Sequence, residues 1–433
     1  MKDLPEHMLQ RILLGRLLLK LGLFPIIQRF AFLKNLLHYL KSLYSFRIAL
    51  RTFYHFYESV KNFYMNKQRI CIVGDGLSGL MTAISLNQVP GIEVNLVAKR
   101  GSRKKDKRTT AISDTNFKFI KENIVDLSNR LFWPSKNIEL FYEIAKEKIN
   151  FLNLNEKNSN LMYVFENDKI KNILLKEIFK KKIKIIYKEI KDIDELKGFD
   201  LAVLCLGGQS KVYNKISQAR PINKDYKEIA VTGYIKHKFK NLNASQFFLK
   251  EGPLAILPFS KNFFSFVWSL KKEFYESKSK KISEMIKAKI LEILKAKQNI
   301  SVSNIQSYPI SLGLKRQYHE KNILILGEGL HTIHPVAGQG FNLVLRDIKK
   351  LKEIIKYYSG LGISIKNSYA LIDFHNSRKS ENIIMGLGVD VTHNFFKQNK
   401  YLDPFKEVII KNISNNEILK KISKIISNQG ISF

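Results

Sequence analysis

His331 and His334 stand three residues apart in GEGLHTIHPVAGQGFNLVLRD, the stretch from Gly327 to Asp347. An acid lies near each end, Glu328 and Asp347, and the triplet Gly338-Gln339-Gly340 lies between. Such residues serve a metal site, a histidine–carboxylate pair, or a loop shaped around a ligand. A helical zinc motif sets a glutamate between its histidines and finds a further ligand elsewhere. No glutamate separates these two, and no third ligand is legible. No metal site is expected.

A second glycine cluster lies far upstream, in RICIVGDGLSGLMTAISL from Arg69. ICIV has the composition of a short buried strand, and Leu80, Ala83, Ile84 and Leu86 follow at helical spacing. Between them Gly74, Gly76 and Gly79 form G-x-G-x-x-G. The first glycine permits a tight turn, the second lets a pyrophosphate approach the backbone, and the third lets helix and strand pack closely. The helix N-terminus favours the phosphate charge. Dinucleotide binding is the expectation.

The next strand, VNLVA, ends at Ala98, where dinucleotide folds place a ribose-binding acid. Lys99 and Arg100 follow instead, and Asp106 substitutes only if the loop rearranges. Arg108, in DKRTTAIS, is either a phosphate partner or one base of a solvated basic loop.

ILIL, ahead of Gly327, reads as another strand, and a helix starts near Gly340 with apolar residues at Leu343, Leu345, Ile348 and Leu351. Gly338 and Gly340 let backbone N–H groups face a ligand at that helix start, where negative charge is favoured. Phe132 to Tyr163 reads as helix and linker. IAVTGYI, GPLAILPF and FSFVWS read as strands of a second domain, and the lysine-rich Lys271–Lys297 as solvated helix faces.

The chain has 433 residues, 73 Lys+Arg and 38 Asp+Glu, a net charge of +35. Its length fits two interleaved domains. The excess of base admits an anionic membrane surface or a lysine-biased proteome. Without zinc-finger spacing, an RNP motif or a basic zipper, nucleic acid is not expected. Two cysteines, Cys71 and Cys205, lie in apolar runs and read as buried thiols of a reducing compartment. Residues 1–64 are rich in Leu, Phe and Tyr, with bases every few positions. This basic amphipathic extension suits helices on a membrane surface, a transit peptide or an interaction segment, and a start at Met65 is the remaining reading.

These motifs resemble the flavin-dependent aromatic hydroxylases of ubiquinone biosynthesis, in the p-hydroxybenzoate hydroxylase fold group. The family closes its flavin domain with a strand, GDAAH, a spacer, P-x-x-GQGxN and an acid. Gly327, His331, Pro335, Gly338, Gln339, Gly340, Asn342 and Asp347 match it. DKRTTAIS resembles the family's D-x-R-x-x-A-[IL]-S and raises Arg108 as a phosphate partner. GPLAILPF with FSFVWS, SYPISL and Arg378 match further positions, in the same order. LCLGGQS resembles ADGxxS, with Gly207 as its glycine and Ser210 as its serine.

The resemblance implies an α/β fold: a Rossmann-like FAD-binding domain interleaved with a mixed-sheet substrate domain, and a helical C-terminus. The implied flavin segments are 65–130, 166–215 and 316–360. Segments 131–165 and 216–315 fall to the substrate domain and 361–433 to the helical region. The implied cofactor is FAD, reduced by NAD(P)H or an electron-transfer partner. The implied reaction is ring hydroxylation of a polyprenyl phenol by O2 through a flavin C4a-hydroperoxide, with no catalytic side chain because the flavin makes the bond. Peripheral membrane docking is implied, on the cytoplasmic face of a bacterial inner membrane or on the matrix side in mitochondria, with other ubiquinone-biosynthesis proteins as further partners.

Three acids of the pattern are changed. Ala98 replaces the ribose acid, Leu206 the aspartate of ADGxxS, and Glu328 the aspartate of GD. Two lost polar contacts at about 1–2 kcal/mol each weaken cofactor binding roughly ten- to a thousandfold. That leaves two alternatives: a catalytically impaired scaffold of a biosynthetic complex, or a flavin monooxygenase for another lipid.

Overall fold

The computed structural model describes residues 67–100, 105–126, 131–144, 147–208, 210–216, 219–240, 242–397, 406 and 408–410. The expectations for residues 1–64 therefore lie outside the described residues, as does most of the chain beyond Lys397.

The chain opens with β1 (Gln68–Val73), α1 (Leu77–Leu86), β2 (Ile92–Ala98), β3 (Thr109–Ser113) and α2 (Asp114–Asn123). Four strands follow: β4 (Trp133–Ser135), β5 (Asn137–Ile144), β6 (Glu147–Asn155) and β7 (Met162–Glu166). Then come α3 (Asn167–Lys180), β8 (Lys184–Tyr187), β9 (Leu201–Leu204), β10 (Ile222–Lys236), β11 (Ala244–Leu249), β12 (Gly252–Ser260) and β13 (Phe263–Lys271). The last part holds α4 (Lys272–Lys278), α5 (Ile282–Ile293), β14 (Ser301–Leu314), β15 (His319–Glu320), β16 (Ile323–Ile325), β17 (His331–Thr332), α6 (Gly340–Gly360) and α7 (Tyr369–Phe396).

One sheet has the order β15-β16-β9-β1-β2-β8. Its strands β16, β9, β1, β2 and β8 run parallel, and β15 pairs antiparallel at the edge. ICIV and LAVL are continuous apolar runs because helices cover parallel strands on both faces. Their side chains join one core with those of α1, α3 and α6. From β1 the chain moves to β2 on one side and returns to β9 on the other. Ligands bind outside the carboxyl ends of strands at such a switch point. Val73 is level with Val97 and Leu204, and Leu204 with Ile325. The residues after these strands, including Gly74, Cys205 and Leu326, therefore leave the sheet at one edge.

A second sheet has the order β17-β14-β10-β13-β12-β11-β5-β6. Alternate residues of β13, namely Phe264, Phe266, Trp268 and Leu270, pack on Ile286, Ile290 and Ile293 of α5. Ser265, Val267 and Ser269 consequently point the other way. IAVTGYI, GPLAILPF and FSFVWS are the strands expected, and the lysine-rich stretch forms α4 and α5.

Phe132 to Tyr163 corrects the reading as helix and linker. It forms β4, β5, β6 and the first two residues of β7. Glutamates and lysines gave it helical composition, but the acids serve the sheet. Glu143 is buried and accepts the Lys250 N–H at 2.7 Å, and Glu139 accepts from the Asn243 amide at 3.2 Å. Strand β5 pairs with β6 and β11, which places it in the larger sheet.

Candidate cofactor site

The first glycine loop lies at the switch point. Gly74 adopts φ +119°, and a Cβ on it would come within 2.3 Å of the Cys205 carbonyl oxygen. A Cβ on Gly79 would fall 2.0 Å from the Gly74 oxygen. These two glycines are fixed by protein packing. Gly76 differs: a Cβ there meets no protein atom within 4 Å. It is the N-cap of α1, and no side chain caps that helix. The open approach and the uncapped amides fit a pyrophosphate. Both thiols are buried, which pushes them up to about 12 and leaves them inert at neutral pH.

The three strand-end loops interlock. A Cβ on Gly327 would lie 3.1 Å from Ser78 Oγ of α1. A Cβ on Gly208 would lie 3.3 Å from the Glu328 carbonyl oxygen, and one on Gly207 would lie 4.0 Å from Glu328 Oε2. Gly207 and Gly327 both have φ +79°, which glycine adopts without strain. Tyr213 joins the loops after β9 and β16. Its ring leaves no room for a side chain at Gly329, and its hydroxyl accepts the Leu206 N–H at 2.9 Å. No motif marks this tyrosine in the sequence.

Leu206 and Ala98 place no acid at this edge. Leu206 packs against the apolar core of the smaller sheet, and Ala98 is buried at the end of β2. Lys99 pairs with Glu189 at 2.7 Å instead. Glu328 is exposed beside the Gly207 loop.

Arg108 is held by Asp106. Its Nε donates to Oδ1 at 2.7 Å and its Nη2 to Oδ2 at 2.8 Å, and the guanidinium lies 5.1 Å from the centre of the Tyr308 ring. The hydrogen bonds from guanidinium to Asp106 push the Arg108 pKa up despite burial. Asp106 also accepts from the Asn167 amide at 3.0 Å. In this geometry Asp106 orients Arg108 and does not stand in for the missing ribose acid.

The GQG loop is tied to the same motif. Gly338 has φ +62°, and Gly340 starts the 21-residue α6 without a side-chain cap. Asn342 Oδ1 accepts from Ser113 N–H at 2.9 Å and from the Asn116 amide at 2.7 Å. Its amide donates to the Gly338 oxygen at 3.1 Å and the Ala111 oxygen at 3.3 Å. Pro335 accepts the Gly338 N–H at 3.0 Å, closing the turn that leads to Gln339, which is buried.

Both histidines meet carboxylates. His331 Nε2 lies 2.6 Å from Asp347, which also accepts from Arg378 Nε at 2.6 Å and the Asn382 amide at 3.2 Å. Burial opposes ionisation of Asp347, but Arg378 and His331 outweigh it and hold the carboxyl below its ordinary range. His334 Nε2 lies 3.2 Å from one oxygen of Glu228, and His393 Nε2 lies 3.2 Å from the other. Burial would raise Glu228, but the two imidazoles overcome it and keep the acid ionised.

Glu228, His334 and His393 are a metal-type triad assembled from distant segments, and no local spacing announces it. Its hydrogen bonds favour a proton network. Val336 N–H donates to His334 Nδ1 at 3.1 Å. Nδ1 is therefore the acceptor nitrogen, and the ring proton sits on Nε2, the atom an ion would need. Lys397 Nζ stands 3.6 Å from Glu228, where a second cation would be repelled.

The matched FAD binding domain family covers residues 200–362. The chain is 26% identical over 257 residues to the mitochondrial ubiquinone biosynthesis monooxygenase COQ6 of Dictyostelium discoideum, covering 48% of this chain and 52% of that protein. It is 29% identical over 161 residues to the 3-demethoxyubiquinol 3-hydroxylase of Escherichia coli, covering 36% and 40%. The chain thus spans about half or less of the length of these curated relatives. The solved p-nitrophenol 4-monooxygenase PnpA of Pseudomonas putida superposes with a TM-score of 0.67 at 11% identity, covering 84% of this chain and all of that one.

Fold and family match define a FAD-binding chain with the architecture of the flavin-dependent monooxygenases. In sequence the chain is similar, over part of its length, to a monooxygenase and a hydroxylase named for ubiquinone chemistry.

Proposed function

We propose that this chain is a FAD-dependent monooxygenase that hydroxylates the aromatic ring of a polyprenylated phenol in ubiquinone biosynthesis. The observation that carries the reading is the meeting of the two glycine clusters, with Gly327 against Ser78 of the first helix. Two open helix N-termini, at Gly76 and Gly340, then serve one site.

In this reading Gly74, Gly76 and Gly79 hold the pyrophosphate, with Gly207 and Glu328 beside them and Arg108 oriented by Asp106. Pro335, Gly338, Gln339, Gly340 and Asn342 shape the loop whose N–H groups meet the flavin ring edge. Reduced FAD, when bound, supplies the electrons that activate O2 for transfer of one oxygen atom to the ring. The protein orients substrate and excludes water, and no side chain is assigned to make the bond. Segments 131–165 and 216–315 form the substrate side, and the face carrying Ser265, Val267 and Ser269 is its wall. The reductant is NAD(P)H or an electron-transfer partner.

Among the described residues no helix is long and apolar enough to cross a membrane. We place the chain peripherally on a membrane surface, where its positive charge and an isoprenoid tail both favour docking. The site is a bacterial inner membrane or the matrix side in mitochondria, in contact with other proteins of the pathway.

The test is incubation of the full chain with FAD, reductant, a short-chain polyprenyl phenol and isotopically labelled O2. The reading expects a product carrying one labelled oxygen atom on the ring. Bound FAD with no labelled product would favour another lipid substrate, and no bound FAD would favour the scaffold.

A further inference from the structure

His334 sits where three parts of the molecule meet. It precedes the Val336–Gly338 turn, Glu228 comes from β10, and His393 from α7. All three side chains are buried, His334 completely. The rings of His334 and His393 stack with centroids 4.0 Å apart, and Tyr226 meets each edge-on at 5.1 Å. The Tyr226 hydroxyl donates to Asp390 at 2.7 Å. The charged and titratable groups around His334 are therefore Glu228 and Tyr226 from β10, Asp390 and His393 from α7, and Lys397 just beyond it.

An ionised Glu228 only accepts hydrogen bonds, so His334 donates through Nε2. That leaves Nδ1 as a lone pair, aimed at the Val336 N–H, 3.1 Å away. Val336 opens the turn closed by the bond from Gly338 N–H to Pro335, and Gly338, Gln339 and Gly340 follow. The pose of the GQG loop thus depends on a ring nitrogen whose acceptor state is imposed from the larger sheet.

We propose that His334 is a positioning residue of the cofactor loop: Glu228 fixes its tautomer, Nδ1 anchors Val336, and protonation of Nδ1 releases the loop and weakens FAD binding. This rests on the FAD reading above. Nδ1 cannot accept once it carries a proton. Burial lowers the His334 pKa, so the loop stays anchored at neutral pH and is released below the ordinary histidine range. His331 faces Asp347 and Arg378 on the same loop, so the test must separate the two histidines.

Asparagine and glutamine make that separation. In His334→Asn the side-chain oxygen replaces Nδ1 as a non-titrating acceptor. In His334→Gln the polar group replaces Nε2 and the anchor is lost. The dissociation constant for FAD is measured by flavin fluorescence on the full chain, for wild type and both variants. Measurements are made at neutral pH and in acid steps down to the limit of folding, with circular dichroism to confirm folding.

Wild type should lose affinity about tenfold on acidification while remaining folded. His334→Asn should bind within about threefold of wild type at neutral pH and lose the acid dependence. His334→Gln should bind about tenfold more weakly already at neutral pH. Equal affinities for the two variants, or an undiminished acid response in His334→Asn, would overturn the proposal. So would a stoichiometric metal ion whose chelation releases FAD. If neither variant folds, wild type decides, and affinity that stays flat down to the acid limit of folding overturns it. A wild type that binds no FAD at neutral pH overturns the FAD reading as well.

Discussion

Asn342 accepts the Ser113 backbone N–H at 2.9 Å across 229 residues of chain. This bond joins the two motifs most alike to those of the family, DKRTTAIS and GQGFN. With the Asn116 amide on the same oxygen at 2.7 Å, it makes one buried side chain the tie between β3, α2 and the start of α6. Asn342→Leu removes the side-chain acceptor of the Ser113 N–H and the Asn116 amide, leaving the amide only its bond to the residue-342 carbonyl at 3.2 Å. Stability should fall by about 2–4 kcal/mol by chemical denaturation, and FAD affinity should fall with it. Full stability in this variant would show that the tie does not hold the loop.

The three glycines of the first loop should part company. Gly79→Ala would set its methyl 2.0 Å from the Gly74 oxygen before any relaxation, so it should destabilise the protein by about 1–3 kcal/mol with or without cofactor. Gly76 has φ −73° and open space around it. Gly76→Ala should change stability by under about 1 kcal/mol yet raise the FAD dissociation constant roughly tenfold or more. Paired melting and flavin titrations give both numbers.

Asp347 sets an acid limit. Its carboxyl is held below the ordinary range by Arg378 and His331 against the effect of burial. Its stabilisation is therefore complete above the unfolded value, near about pH 4, and is lost as pH falls through the folded one. Asp347→Asn leaves Arg378 buried beside a neutral group and should lose about 3–5 kcal/mol at neutral pH. The variant should also show a shallower loss of stability below about pH 4. An unchanged acid slope in denaturation midpoints would refute the assignment.

Leu206 offers a gain-of-function test. It stands where the family has an aspartate, with its N–H already on Tyr213. Leu206→Asp should tighten FAD binding about five- to tenfold, as expected for one recovered polar contact. No gain in equilibrium titration would mean that the cofactor does not reach this loop.

The glycine loops and their strands were legible because their constraint is local. Close approach at Gly74 and Gly79, and a helix beginning after each cluster, follow from a few adjacent residues. The ties between motifs were not. Tyr213, Asn116, Glu228 and His393 act through partners that only the folded chain brings near. Glu228 follows an irregular step in β10, where Lys227 has φ +53° and the register shifts between Asp225 and Glu228, and nothing in its neighbours hints at two histidines. Phe132–Tyr163 was misread because its acids bond to backbone and side-chain amides in the sheet, as Glu143 does with Lys250. Arg108 was singled out as a candidate phosphate partner, but its bidentate hold on Asp106 was not foreseen.

The most direct measurement is the flavin content of the full chain after saturation with FAD and gel filtration, read from flavin absorbance. The account predicts stoichiometric flavin eluting with the protein, despite alanine at residue 98 and leucine at residue 206. A folded protein that elutes without flavin after saturation would contradict it.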